Sequence, residues 1–278
     1  MLAPLPISES RQHDSDVWLH TQLGTDISPS HDCRTWRMQL VPTTIALTAL
    51  TGSHFIKAWL GVVKGHAILW SHGMQHGDPS LSNIAYDPVA GQGALLDFDL
   101  SIPARPHPRL AGTMPFMAVE LLCEKYWSGT KERLYHHELE ALIWILPFVF
   151  LRYQDGREMP EQITDAWMSE DYDTVCSEKN YFWGAKGLDE ATTVMETKLN
   201  FAKEWPLASN LLSMAQVTHI KALGSPKGSF FPVEPVISTV QELWTALLNM
   251  LNRAQQAEGL GYLKPFIKEL ESVDVSAK

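Results

Sequence analysis

The chain has 278 residues, 45% of them hydrophobic and 19% charged, which is enough to bury a substantial core as one domain or as one domain with a short appendage. A formal net charge of −10 without a long basic run argues against nucleic acid or an anionic membrane as the main partner. Cys33, Cys123 and Cys176 are odd in number and widely spaced, which fits reduced intracellular thiols better than a disulfide framework or a zinc site.

In chain order, residues 1–35 mix Ser, Asp, His and Pro without periodicity and read as a poorly ordered or loosely docked tail. The start has no basic region followed by an apolar core, so no secretion signal is recognised there. From Ser53, the residues Phe55, Trp59, Val62, Val63, Ala67 and Trp70 recur at helical spacing, predicting a helix to about His72. Asn83 to Tyr86 and Ala94 to Asp97 are short apolar stretches parted by Asp87-Pro88 and Gly91-Gln92-Gly93, the pattern of a β-hairpin. Residues 99–120, with four prolines, predict an irregular loop ending at Ala118-Val119-Glu120. Glu138 to Leu151 is nearly apolar all round and predicts a central helix. Its longest apolar run, Ala141 to Leu151, is too short to span a bilayer. Further helices are expected around 190–203 and 239–255.

Between the first helix and the hairpin stands His76-Gly77-Asp78-Pro79-Ser80-Leu81-Ser82-Asn83, and Asp97-Phe98-Asp99 begins fourteen residues after Asn83. These oxygen-bearing side chains at this spacing suit phosphoryl transfer. One carboxylate receives or orients the proton of an attacking hydroxyl, while an amide and a second carboxylate hold magnesium on the nucleotide phosphates. The hairpin would suspend Asn83 and Asp97 at neighbouring strand ends.

The order of helix, H-x-D-x-x-x-x-N loop, hairpin, D-F-x, proline-rich loop, Gly112-Thr113 through Glu120-Leu121-Leu122 and apolar helix resembles the large lobe of a eukaryotic protein kinase. It most resembles the fungal-type protein kinase family, which Ser80 and the run Tyr135 to Leu142 also suggest. The likeness covers roughly residues 36–255 and is strongest from Gly73 to Phe148. It implies an α+β, mostly α fold: a protein-kinase-like large lobe with a short catalytic β-hairpin and a central buried helix. The domain would span 36–265, followed by a C-terminal tail, 266–278. The resemblance makes Asp78 the catalytic base, Asn83 and Asp97 the metal ligands, and His76 and Phe98 packing residues. It puts Thr113 beside the acceptor hydroxyl, makes Glu120 the anchor of the activation segment, and places the adenine ring on Arg37 to Val41. ATP and Mg2+ would be the cofactors, a protein the substrate or partner, and the setting intracellular, cytoplasmic or nuclear.

Departures from the family pattern carry information too. Gly77 replaces an arginine that in many kinases pairs with a phosphate on the activation segment. Asp99 replaces the glycine of D-F-G, losing backbone freedom and adding a carboxylate. Glu138 stands where an aspartate usually braces the catalytic loop. No G-x-G-x-x-G loop or V-A-I-K lysine is present, and about 35 unpatterned residues before Arg37 cannot build a five-stranded small lobe. Ordinary structural roles are expected elsewhere: loop hydroxyls for Ser101 and Thr113, core filling for Tyr181-Phe182-Trp183, a packed or capping pair for His136 and His137, and a solvated face for Glu170, Asp171 and Asp173.

Three functions fit. The first is Mg-dependent transfer of the ATP γ-phosphoryl group to a protein Ser/Thr hydroxyl. The second is a pseudokinase or interaction module. The third is a small-molecule phosphotransferase of the aminoglycoside or choline kinase kind, against which the segment from Gly112-Thr113 to Glu120 speaks.

Overall fold

In the computed structural model the chain divides into two units, Met1–Pro42 and Thr43–Lys278. The structure describes residues 44–97, 111–160, 162–198, 200–224, 234–257 and 259–275, all in the second unit. Phe98, Asp99, Ser101, Arg37 to Val41 and the expected tail over 1–35 lie outside the described residues. The architecture is α+β and mostly helical.

The first long helix, α1 (Gly52–Ser71), buries Phe55, Ile56, Trp59, Leu60, Val62, Val63 and Ala67, close to the stripe its apolar period predicts. It ends in a Schellman turn: Gly73 adopts φ +77, its N–H donates to Trp70 O at 2.8 Å, and the Met74 N–H donates to Leu69 O at 3.0 Å. Glycine bears this left-handed conformation without strain. The turn releases the chain directly into the His76 loop.

Three antiparallel strands follow the order β1 (Ile45–Ala46), β2 (Ile84–Asp87), β3 (Gln92–Leu95). The hairpin register pairs Ile84 with Leu95 and Tyr86 with Gly93, and the Leu96 N–H donates to Asn83 O at 2.8 Å, extending the ladder. Asp87 closes the turn by accepting the Val89 and Ala90 N–H groups at 2.8 and 3.1 Å, the short-range bonding that makes Asp a turn residue. The sheet lies against α1 at Gly61 and Gly93. A Cβ on Gly93 would sit 1.9 Å from Ala58 O, so glycine is required by proximity.

After a one-turn helix, α2 (Glu124–Trp127), comes α3 (Tyr135–Arg152), all of whose residues are buried. It packs on α1 and most extensively on α6 (Trp205–Leu223). The Trp59 indole donates to Leu142 O at 2.8 Å, tying α1 to α3. A small hairpin, β4 (Tyr153–Gln154) and β5 (Arg157–Glu158), follows. Arg152 there binds Glu158 and Asp165.

The remaining helices are α4 (Tyr172–Trp183), α5 (Ala185–Thr197), α6, α7 (Val240–Ala257) and α8 (Lys264–Glu271). The helix expected over 190–203 lies earlier, because the next one opens with Trp205 and Pro206, and proline is favoured in a first turn. Asp171 caps α4 by accepting the Thr174 N–H at 2.9 Å, while Phe182 and Trp183 enter the core and Tyr181 stays 43% exposed. The stretch after 265, read as a tail, is helical to Glu271 and buries Ile267, Leu270 and Val275. Phe266 and Val273 pack against the same core from partly buried positions. Among the described residues, no helix is long and apolar enough to cross a membrane.

Gly93→Ala should destabilise the fold by about 1–3 kcal/mol or more, because backbone rather than a flexible side chain opposes the new methyl. Denaturant unfolding checks this, and an unchanged midpoint would contradict the packing of β3 on α1.

Candidate active site

The site is built around a carboxylate. Glu138, in the first turn of α3, is fully buried. Its Oε2 accepts the His76 N–H at 3.0 Å and lies 2.6 Å from His66 Nε2. Its Oε1 accepts the Gly77 N–H at 2.7 Å and stands 4.0 Å from Arg133 Nη1. Burial alone would raise its pKa, but His66, Arg133 and the loop N–H groups outweigh this and hold it at about 2. The longer side chain at this position therefore does brace the loop.

Held at two successive amides, the loop turns through Gly77 at φ +88 and presents Asp78. Asp78 Oδ1 accepts the Thr113 N–H at 2.9 Å and Oδ2 accepts the Thr113 hydroxyl at 2.9 Å. The Asn83 amide donates to Asp78 O at 2.9 Å and to Oδ2 at 3.3 Å. With its NH2 committed to Asp78, the amide oxygen of Asn83 is the group left to face outward. Ser80 is buried and bonded to Ser82 at 3.0 Å, so it places no cation beside the aspartate.

His76 joins the loop to the hairpin end. Its Nδ1 accepts the Asp78 N–H at 3.3 Å and its Nε2–H donates to Leu96 O at 2.8 Å. Burial lowers its pKa, favouring the neutral ring that this acceptor-and-donor pairing needs. Leu96 is thus fixed through both backbone groups, and Asp97 follows it, exposed, at φ +58. A left-handed non-glycine residue is uncommon and strained. Asp78, Asn83 and Thr113 are in direct contact, with Asp97 tethered to them through Leu96. The carboxylate and amide oxygens of Asp97 and Asn83 are hard donors of the kind Mg2+ takes.

Glu120 lies apart from this group. Its carboxylate accepts His136 and His137 at 3.2 Å each and pairs with Lys131 at 2.5 Å. Burial would raise its pKa, yet these three partners hold it well below the usual carboxylate range. Glu120, His136 and His137 have ligand atoms within 4.8 Å of one another, a spacing open to a metal. The bonding argues otherwise: His137 Nδ1 accepts the Leu134 N–H at 2.8 Å, so its Nε2 carries the proton and cannot also ligate. The trio anchors the segment after Thr113 and caps α3.

A second clamp was not legible in the sequence. Buried Glu140 accepts the Val119 N–H at 2.8 Å and the Trp144 indole at 2.9 Å. Buried Lys179 donates to Met117 O at 2.6 Å from above the Trp144 ring. Burial pushes the Glu140 carboxyl up and the Lys179 ammonium down from their ordinary values. Arg133 is likewise buried and reaches both sides of the site. Lys179 and Arg133 sit in ordinary polar surroundings in the sequence, and no local pattern marks them.

Residues 41–150 match the family model described as fungal protein kinase, which supports assigning the chain to the fungal-type protein kinase family. No curated protein matches the chain.

Glu138→Gln replaces an acceptor oxygen by an NH2 that must face a loop N–H, and should cost about 3–5 kcal/mol at neutral pH. Because the folded pKa lies below the ordinary 4.5, the stabilisation is complete above that value and is lost as pH falls toward about 2, some ~3 kcal/mol in all. The gap between wild type and Glu138→Gln in denaturant unfolding should therefore narrow between pH 7 and pH 3. A constant gap would contradict the charged hub.

Proposed function

We propose that this chain, whose residues 41–150 match the fungal-type protein kinases, is a protein kinase that transfers the γ-phosphoryl group of ATP to a Ser or Thr hydroxyl of a protein, with Mg2+. The observation that carries this reading is the contact set of Asp78, Asn83 and Thr113 on a loop braced by buried Glu138, with Asp97 tethered alongside.

Asp78 accepts the proton of the attacking hydroxyl. Its carboxylate already bonds Thr113 and Asn83, but a carboxylate offers about four lone-pair sites, so an acceptor hydroxyl joins the set without displacing them. Thr113, donating through both N–H and Oγ1, fixes the plane of the carboxylate. Asn83 and Asp97 would hold Mg2+, which would supply positive charge against the nucleotide phosphates. Catalysis on this plan rests on position and charge, with no covalent enzyme intermediate.

Asp78→Asn should lower phosphotransfer by about 10²–10⁴-fold and keep a cooperative fold, since the amide oxygen still accepts the Thr113 N–H and the Thr113 hydroxyl can turn to accept from the new NH2, while the lost Asn83 bond costs about 1 kcal/mol. Retained turnover would remove Asp78 as the base. ATP with Mg2+ should raise the thermal midpoint by mass action, and Asp97→Asn should abolish the magnesium-dependent part. A cooperatively unfolding wild type with no shift would favour the interaction-module reading.

A further inference from the structure

We propose that Arg133 is a positioning residue that holds the loop carrying Asp78 and the segment carrying Thr113 in register with each other. The proposal rests on the reading of Asp78 as the reactive carboxylate. Arg133 lies in the connection before α3 and is 8% exposed. Its Nη1 stands 4.0 Å from Glu138 Oε1, the same oxygen that accepts the Gly77 N–H. Its Nη2 donates to Ala111 O at 2.5 Å and to the Tyr126 hydroxyl at 2.7 Å. Tyr126 in turn donates to Ala111 O at 2.7 Å, and its ring lies 5.4 Å from the guanidinium.

These contacts close a ring. From Arg133 one path runs through Glu138 to Gly77 and on to Asp78, and the other through Ala111 and Gly112 to Thr113, whose N–H and hydroxyl return to Asp78. On the segment side, Gly112 joins Ala111 to Thr113 at φ +148, a conformation that residues with a side chain rarely adopt. A planar guanidinium with two divergent nitrogens can serve both paths at once, whereas a lysine ammonium is a point charge that serves one. The neighbouring loop position is Gly77, which has no side chain to do this. Arg133 supplies from the α3 side a link between loop and segment that the loop itself lacks.

A simple charge-balancing role for Glu138 makes a different forecast, and hydrogen exchange of backbone amides separates the two. In Arg133→Ala, exchange should quicken by about tenfold in both 74–83 and 111–117. In Arg133→Lys, which keeps the buried charge, protection of 74–83 should return while 111–117 stays fast. Recovery of both stretches in Arg133→Lys, or an unchanged stretch in Arg133→Ala, would overturn the proposal. If Arg133→Ala does not fold, Arg133→Lys decides by the same criterion. In a phosphotransfer assay, Arg133→Lys should lower kcat by about tenfold or more at constant KM for ATP, because the guanidinium does not touch the nucleotide ligands. A wild type without phosphotransfer would end the reading of Asp78, and the exchange result would still decide whether Arg133 couples loop to segment.

Discussion

A carboxylate with no exposure to water must be solvated by the protein, and Glu138 is solvated by the His76–Asn83 loop itself. An isolated buried carboxylate would cost far more than any single contact returns. Here two loop N–H groups, His66 and Arg133 take the place of water. The dependence runs both ways. If the loop leaves, the charge is orphaned; if the charge is removed, two amides are left facing each other with no acceptor. The start of α3 adds to this, since the unpaired N–H groups of a helix N-terminus favour negative charge.

The segment from Ala111 to Glu120 is fixed by three separate sets of polar side chains. Arg133 and Tyr126 take Ala111, Lys179 and Glu140 take Met117 and Val119, and the His136, His137 and Lys131 set takes Glu120. Tyr126 comes from α2, Lys179 from α4, Glu140, His136 and His137 from α3, and Arg133 and Lys131 from the connection before α3. Their spacing along 111–120 means that the segment can be displaced only by breaking buried polar bonds, which is costly. Thr113 therefore meets Asp78 at a position set from outside the loop.

What the sequence disclosed is what has a short-range signature. The α1 stripe, the hairpin turn at Asp87 and Gly91, and the Asp78–Asn83 spacing are each written within a few residues, so periodicity and turn chemistry reveal them. Helix α3 extends three residues before the expected start because Tyr135, His136 and His137, polar to a reader, are buried, Tyr135 against His66 and Trp70 and the two histidines against each other and Glu120. Lys179 is the hardest case. A lysine in a polar helix reads as solvent-facing, and only the fold brings it over the Trp144 ring and onto Met117 O, 62 residues away in sequence. Helix α8 was hidden for another reason: it is only eight residues long, so its apolar face of Phe266, Ile267 and Leu270 covers too short a window to read as a helix.

His76 carries the argument from structure to chemistry. Its ring takes a hydrogen bond from the Asp78 amide and gives one to Leu96 O, so it needs one lone pair and one N–H. A lysine or arginine could not accept, and an aspartate could not donate. A second proton would set an N–H against the Asp78 amide, and burial already disfavours that form. Through Leu96 the same ring steadies the strained backbone of Asp97, whose left-handed conformation is of the kind that costs roughly 1–3 kcal/mol. Leu96 is held at both its N–H and its carbonyl, which is the overdetermination such strain requires. The consequence is geometric: Asp78 and Asp97 are placed by one imidazole rather than by two independent loops, and that imidazole is itself placed by the backbone bond to Glu138.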